Sequence, residues 1–106
     1  MALAARGFVN YTEVEQAIGQ VIRNLGPEVV HVAYGFGEDW AGDPGIFFHI
    51  VLTDEASQEN RIGQVGQRIR TQVFDELQPQ ENWGLFPYFS FRSETDQERR
   101  PDPTWS

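Results

Sequence analysis

The chain has 106 residues, a formal net charge of −8, and eight arginines but no lysine. The absence of cysteine excludes disulfides, thiolate nucleophiles and cysteine-ligated metal centres, and the absence of lysine excludes Schiff-base chemistry. The negative charge opposes binding to nucleic acid or to an acidic membrane surface, and it favours a basic partner.

A first helix is predicted from Thr12 to Leu25. Thr12 and Glu15 have the spacing of a capping box, in which each side chain satisfies a free backbone N–H. Apolar residues then recur at three- and four-residue spacing and form one buried stripe. Gly26 and Pro27 follow this stripe and end the helix.

Two strands are predicted next, over residues 29–36 and 46–52, because their side chains can be divided into two alternating sets. The glycine-rich stretch between them predicts an antiparallel hairpin with a long loop. A second helix is predicted over residues 57–77, where Pro79 marks the end. Its buried stripe consists of Ile62, Val65, Ile69, Val73 and Leu77.

The third predicted strand covers residues 85–92 and contains Pro87. Proline cannot donate a ladder hydrogen bond, so we expect an edge strand with this position facing outward. Residues 93–106 are charged and contain two prolines, which predicts a flexible tail outside a single domain of residues 1–92.

The order α-β-β-α-β predicts an α+β fold, a two-layer sandwich in which two helices cover one face of a three-stranded, mainly antiparallel sheet. A right-handed crossover makes the second and third strands parallel. If the third strand lies beside the first, all neighbours are antiparallel and the spatial order is 2-1-3. The face toward the helices is then predicted to carry Val30, Val32, Tyr34, Phe36, Ile46, Phe48, Ile50, Leu52, Phe89 and Phe91.

The opposite face of this sheet, called the open face below, is unusually apolar for a surface in water. Back-to-back sheet packing or strand addition at an edge would bury it, so we expect the protein to self-associate there. A different partner, or simple tolerance of exposed aromatic residues, is the alternative. The predicted interface consists of His31, Phe47, His49, Val51, Phe86, Tyr88 and Arg92.

Strand geometry predicts that His31 and His49 lie diagonally on the open face, about 7–8 Å apart. The two imidazoles could share a metal or an anion with Arg92 and Tyr88 nearby, but a third protein ligand for zinc is not evident. Packing at an interface, with sensitivity to pH, is the simpler role for them. The sequence therefore predicts neither a metal nor a cofactor.

The loop of residues 37–45 concentrates carboxylates and a tryptophan among glycines, and it is called the acidic turn below. Glu38, Asp39, Trp40 and Asp43 are predicted to form a contact surface beside the open face. Carboxylate oxygens suit Ca²⁺ or Mg²⁺, but the spacing matches no ligand loop that a mechanism supports. A solvated turn, in which aspartate and glycine serve the backbone geometry, is the simpler alternative.

Residues 33–37 (Ala-Tyr-Gly-Phe-Gly), then Gly42 and Asp43, then the strand at 46–52 resemble the core of the minimal nucleotidyltransferases. That family has a Gly-Ser turn after the first strand and an Asp-x-Asp metal pair on the second. Here Glu38 stands in place of the serine, and no acidic pair is present at residues 47–49. The resemblance therefore implies a catalytically inactive relative. Some members are antitoxins that bind a helical toxin, so it also implies protein binding.

We therefore expect a non-catalytic protein–protein interaction module that self-associates through the open face or binds another protein. The alternatives are a degenerate nucleotidyltransferase-like antitoxin and a small metal-dependent enzyme that uses the turn carboxylates and the histidines. Neither nucleic acid nor a membrane is an expected partner. No signal peptide is recognised, and no run reaches the roughly 18 apolar residues of a membrane span, so a cytoplasmic location is expected.

Overall fold

The computed structural model describes residues 9–106, and the start of the chain, where no signal peptide is expected, lies outside that range. The predicted order of helices and strands is confirmed. The elements are α1 (Tyr11–Arg23), β1 (Val29–Glu38), β2 (Pro44–Leu52), α2 (Ile62–Leu77), α3 (Pro79–Trp83), β3 (Phe86–Ser93), α4 (Glu94–Arg99) and a 3₁₀ turn (Pro103–Trp105).

Helix α1 begins slightly earlier than predicted. Its cap is Asn10, whose Oδ1 accepts a hydrogen bond from the N–H of Glu13 at 3.2 Å. Asparagine is as good a cap as threonine, so the capping-box pattern at Thr12 misplaced the start of the helix. The apolar stripe is confirmed, since Val14, Ile18 and Val21 are buried.

The strand order is β1-β2-β3, so β2 lies in the centre of a mixed sheet. The pairing of β1 with β2 is antiparallel, and that of β2 with β3 is parallel. The predicted order 2-1-3 is therefore wrong, although β3 is an edge strand as expected. Burial explains the difference, because β2 is mostly buried whereas β1 contains two exposed glycines. The most continuously apolar strand lies where both of its edges are paired.

A β-bulge interrupts β1 near its start. Val29 lies opposite Leu52, whereas His31 lies opposite Val51. The extra residue, Val30, leaves the core and is 51 % exposed, and Val29 packs against the core instead. The prediction that Val30 faces the helices is therefore wrong, because a bulge moves a residue to the other side of the strand.

The other residues predicted to face the helices do so. They are buried or partly buried against α1 and α2, namely Val32, Tyr34, Phe36, Ile46, Phe48, Ile50, Leu52, Phe89 and Phe91. Pro87 was expected to face outward, but its side chain is buried, in the row of Ile46. Within residues 9–106, no helix has the length and apolar character that crossing a membrane requires.

Residues 94–106, called the C-terminal segment below, differ from the flexible tail that was expected. They form α4 and the 3₁₀ turn, which pack against the sheet. Ser93 caps α4 by accepting from the N–H of Asp96 at 3.0 Å, and Asp102 caps the turn by accepting from the N–H of Thr104 at 2.9 Å. Asp54, which follows β2, accepts hydrogen bonds from the backbone N–H and the hydroxyl of Thr95. Caps and an aspartate on the body of the fold thus order a segment whose composition favours disorder.

Candidate functional site: an aromatic cluster beside the acidic turn

The register of the sheet places the predicted interface residues on one face. Phe47 lies between Gly35 of β1 and Tyr88 of β3. Val51 lies between His31 and Arg92 in the same way. His49 and Ala33 occupy the row between them, and Phe86 lies beyond Phe47 in the row of Gly45, all on the same face, as the alternation of side chains requires. The face divides into two halves, one at each end of β2.

The half around Val51 is covered by the C-terminal segment. The ring of Trp105 lies 5.0 Å from the ring of His49, and the guanidinium of Arg92 lies 5.4 Å from the ring of Trp105. Arg92 also donates to Gln97 Oε1 at 2.9 Å, and Val51 is only 3 % exposed. The expectation of a bare face is therefore wrong for His49, Val51 and Arg92, because the chain itself covers them.

The two histidines occupy the predicted diagonal positions, since His31 is opposite Val51, two residues beyond His49. They do not form a metal site with neighbouring acids: in the part of the chain that the structure describes, no group of three metal-ligating side chains is found. The Nδ1 atom of His49 is buried and has no hydrogen-bond partner among these residues. His31 is exposed at the rim of an open groove of about 280 Å³ beside Glu94 and Trp105.

The other half of the open face carries four aromatic rings, three of which contact the fourth; they are called the aromatic cluster. Tyr88 is at its centre. Its ring stacks on Phe47 at 5.1 Å, lies 5.0 Å from Phe86, and meets Trp40 edge-on at 5.6 Å. Trp40 is 88 % exposed and Phe86 is 38 % exposed, so the cluster presents ring surface to solvent. Edge-on and offset contacts are the preferred geometries of aromatic pairs, and each contributes about 0.5–1.5 kcal/mol beyond the area it buries.

Gly45 is required for this arrangement. A Cβ atom at this position would lie 3.0 Å from the carbonyl oxygen of Phe86 and 3.1 Å from the ring of Tyr88. A side chain there would therefore require the Phe86 carbonyl or the Tyr88 ring to shift by a few tenths of an ångström. The glycine-rich character of the acidic turn is thus connected to the packing of the cluster.

The acidic turn is shorter than predicted, because β1 and β2 extend until Glu38 faces Pro44. The carboxylate of Asp39 organises what remains. Its Oδ1 accepts from the N–H groups of Ala41 and Asp43, both at 2.9 Å, and its Oδ2 accepts from the Tyr88 hydroxyl at 2.7 Å. One aspartate therefore closes the turn and attaches it to the aromatic cluster.

The protonation states of this pair favour the contact. The pKa of Asp39 lies below its ordinary value because the Tyr88 hydroxyl, and then the Asp43 N–H, donate to the carboxylate. The pKa of Tyr88 lies above its ordinary value because its hydroxyl donates to Asp39, with burial and nearby negative charge adding to the effect. At neutral pH the acceptor is charged and the donor keeps its proton, which is the stronger form of this bond.

Of the residues predicted for function, the structure brings together Trp40, Phe47, Phe86, Tyr88 and Asp39. Asp43 is exposed beside them, and with Asp39 it gives the cluster an anionic rim. Glu38 is exposed as well, but it alternates onto the face of Phe36 and lines a groove with Tyr11 on the helix side, so its predicted place beside the open face is wrong. The remaining predicted residues lie in the covered half. The sequence reasoning missed Trp105, and the signal available was a lone tryptophan in an otherwise polar tail.

Three comparisons were made with the chain. No family model matches the chain, and neither a search of curated proteins nor a search of solved structures finds a match. The resemblance to the minimal nucleotidyltransferases thus gains no support from them, and residues 47–49 place two phenylalanines and a histidine where that family has its acidic pair.

Proposed function

We propose that this protein acts by binding another protein through the aromatic cluster and its anionic rim. One observation carries the proposal: Trp40 is 88 % exposed, yet its ring lies against Tyr88 on a turn that Asp39 closes. A large apolar ring held in water has an unfavourable environment that a partner would relieve.

The fixed position of the rings favours binding. Ordering a flexible side chain at an interface costs about 0.5–1.5 kcal/mol, and a ring already held in place avoids part of that cost. Tryptophan and tyrosine are also over-represented among the residues that dominate binding energy. Trp40 and Tyr88 therefore have the chemistry of an interface centre.

Charge selects the kind of partner. The chain carries a net charge of −8, and Asp39 and Asp43 lie beside Tyr88, whose ring contacts the exposed ring of Trp40. Such a surface attracts a basic partner over a distance and repels an acidic one. An arginine or lysine of the partner placed over Trp40 would add a cation–π contact, worth about 0.5–1 kcal/mol at an exposed site. The partner we propose presents apolar and basic side chains together.

A cytoplasmic location is part of the proposal, since a chain without cysteine needs no oxidising compartment. Binding to a toxin helix, the role that the nucleotidyltransferase resemblance implies, is one form of the same interaction. Self-association is the second candidate. Because two negative rims would repel each other, self-association requires another surface, and strand β1 provides one.

The proposal is tested with labelled peptides that alternate leucine and tryptophan with arginine, compared with peptides in which glutamine replaces arginine. Fluorescence anisotropy should show tighter binding of the basic peptide, and binding should weaken as salt is added. Trp40→Ala should weaken it on the order of tenfold, the effect of removing an important interface ring.

Tyr11→Ala is the matched control, because Tyr11 is an exposed ring, 46 % accessible, that lies on the helix side against Phe36. It should bind as the wild type does. Equal affinity for the two peptides, or equal effects of the two substitutions, would refute the proposed site.

A further inference from the structure

Strand β1 is an edge strand with a partner on one side only, β2. Within residues 9–106, no backbone or side-chain hydrogen bond outside the β1–β2 ladder involves the backbone of residues 30–38. Among the described residues, the free side of β1 therefore has backbone donors and acceptors without a strand partner.

The turn shows which residues face that free side. The N–H of Asp39 donates to the carbonyl of Asp43 at 2.8 Å, so these two residues begin the ladder as a hydrogen-bonded pair. Bonding alternates along an antiparallel pair, and the next pair, Glu38 with Pro44, has a proline that cannot donate. Every second pair of the ladder, beginning with Glu38 and Pro44, is therefore without hydrogen bonds. The backbone N–H and C=O groups of Val32, Tyr34 and Phe36, which belong to such pairs, point away from β2.

The two edges of the sheet differ in protection. Natural proteins protect exposed edges with proline, charged side chains or bulges. β3 carries Pro87 and Arg92, whereas β1 has no proline, arginine or lysine, and its one acidic residue, Glu38, lies at its end. Its bulge at Val30 is confined to the other end. The central residues of β1 have none of these devices.

We propose that β1 pairs antiparallel with β1 of a second copy around a two-fold axis, which joins the two three-stranded sheets into one. This goes beyond the proposed function, because it uses the edge of the sheet and leaves the aromatic cluster free. Each copy presents the same strand, so the contact is symmetric and closed. The remaining edges are those of β3, whose proline opposes further growth.

The register follows from the length of the strand and its charges. With Tyr34 on the axis, residues 30–38 of both copies overlap completely, Val32 faces Phe36 of the second copy, and Ala33 faces Gly35. Glu38 then lies opposite Val30 and meets no like charge. The rings of Tyr34 and Phe36, only partly buried in one chain, gain neighbours.

The absence of cysteine permits a direct test of this register. In the proposed dimer, residues 33 and 35 form a pair without hydrogen bonds, whose Cα atoms are about 4.5 Å apart. That separation suits a disulfide, which needs about 4.4–6.8 Å. Identical positions are diagonal, at about 7–8 Å. A mixture of Ala33→Cys and Gly35→Cys chains should therefore cross-link on the order of tenfold faster than either variant alone. Ser90→Cys, an exposed position on β3, should not cross-link.

Sedimentation of the full chain should give a dimer that becomes tighter in high salt, because screening reduces the repulsion between two chains of charge −8. The double variant Ala33→Glu/Gly35→Glu should be monomeric, since it puts carboxylates directly opposite each other. Gly35 has open space around its Cβ position, and a thermal melt checks that the variant folds.

Trp40→Ala should leave the dimer intact while it weakens peptide binding on the order of tenfold, which separates this inference from the proposed function. A wild-type chain that stays monomeric at high concentration and high salt would overturn the pairing. So would a dimer in which Ser90→Cys cross-links as well as the mixed pair.

Discussion

The two halves of the open sheet face come from the same strands and the same alternation of side chains, but they have different surroundings. Around Val51, the C-terminal segment supplies Trp105 as a cover over His49 and Arg92. Around Tyr88, the acidic turn supplies Trp40, which lies beside the rings and remains exposed. Each half thus receives one tryptophan from a neighbouring segment. One tryptophan completes the fold, and the other leaves ring surface available for binding.

An aspartate holds each of these two segments, the C-terminal segment and the acidic turn, against the sheet. Asp54 accepts from Thr95 at the start of the C-terminal segment, and Asp39 accepts from Tyr88 at the acidic turn. In both cases the hydrogen bonds lower the pKa of the carboxyl group. The halves therefore differ in how much apolar surface the attached segment buries, and not in how the segment is held.

The largest expected effect separates the two tryptophans. Trp105→Ala should lower the free energy of unfolding by about 2–3 kcal/mol, somewhat less than a fully buried tryptophan would, because Trp105 is only partly buried. Trp40→Ala should change it by less than about 0.5 kcal/mol. Urea denaturation of the two variants measures both values. Equal losses would mean that the two halves are equally covered.

A smaller effect is expected at the glycines of the uncovered half. Gly45→Ala should destabilise the fold by roughly 1 kcal/mol, since its methyl group meets the Phe86 carbonyl and the Tyr88 ring. Gly35→Ala is the matched control, because nothing lies within 4 Å of its Cβ position. Thermal melts should show a lower midpoint for the first variant only. A normal midpoint for Gly45→Ala would show that Tyr88 is not packed across that strand.

The smallest effect concerns pH. The pKa of Asp39 is lowered, so its contribution to stability is present above the ordinary carboxyl pKa and lost as pH falls through the lowered value. The pKa of Tyr88 is raised, so its contribution is present below the ordinary tyrosine pKa and lost as pH rises through the raised value.

The stability difference between the wild type and Tyr88→Phe should therefore be constant from about pH 5 to pH 9 and shrink at both extremes. Denaturation at a series of pH values measures it. A difference that does not depend on pH would show that the hydroxyl makes no bond to a titrating group.

The local sequence pattern predicted the helices and strands well. It failed for features that depend on contacts between segments far apart in the chain. The α1 stripe and the β1–β2 hairpin follow from spacing, and the register confirmed that Phe47, Tyr88 and His49 share a face. The bulge at Val30 escaped prediction because alternation alone assumes an unbroken strand. The sequence did not predict the position of β3, because a right-handed crossover allows this strand to lie either beside β1 or beside β2.

By itself, the sequence determined the helices, the strands, the concentration of rings on one face and the acidic character of the turn, because these depend on residues close together in the chain. Only the tertiary structure decided that β2 is central, that Trp105 covers half of the open face and that Asp39 holds Tyr88. Each of these depends on groups far apart in sequence whose meeting is set by the burial of the whole chain. The apolar surface that stays exposed is what remains after that burial, so no local pattern could define it.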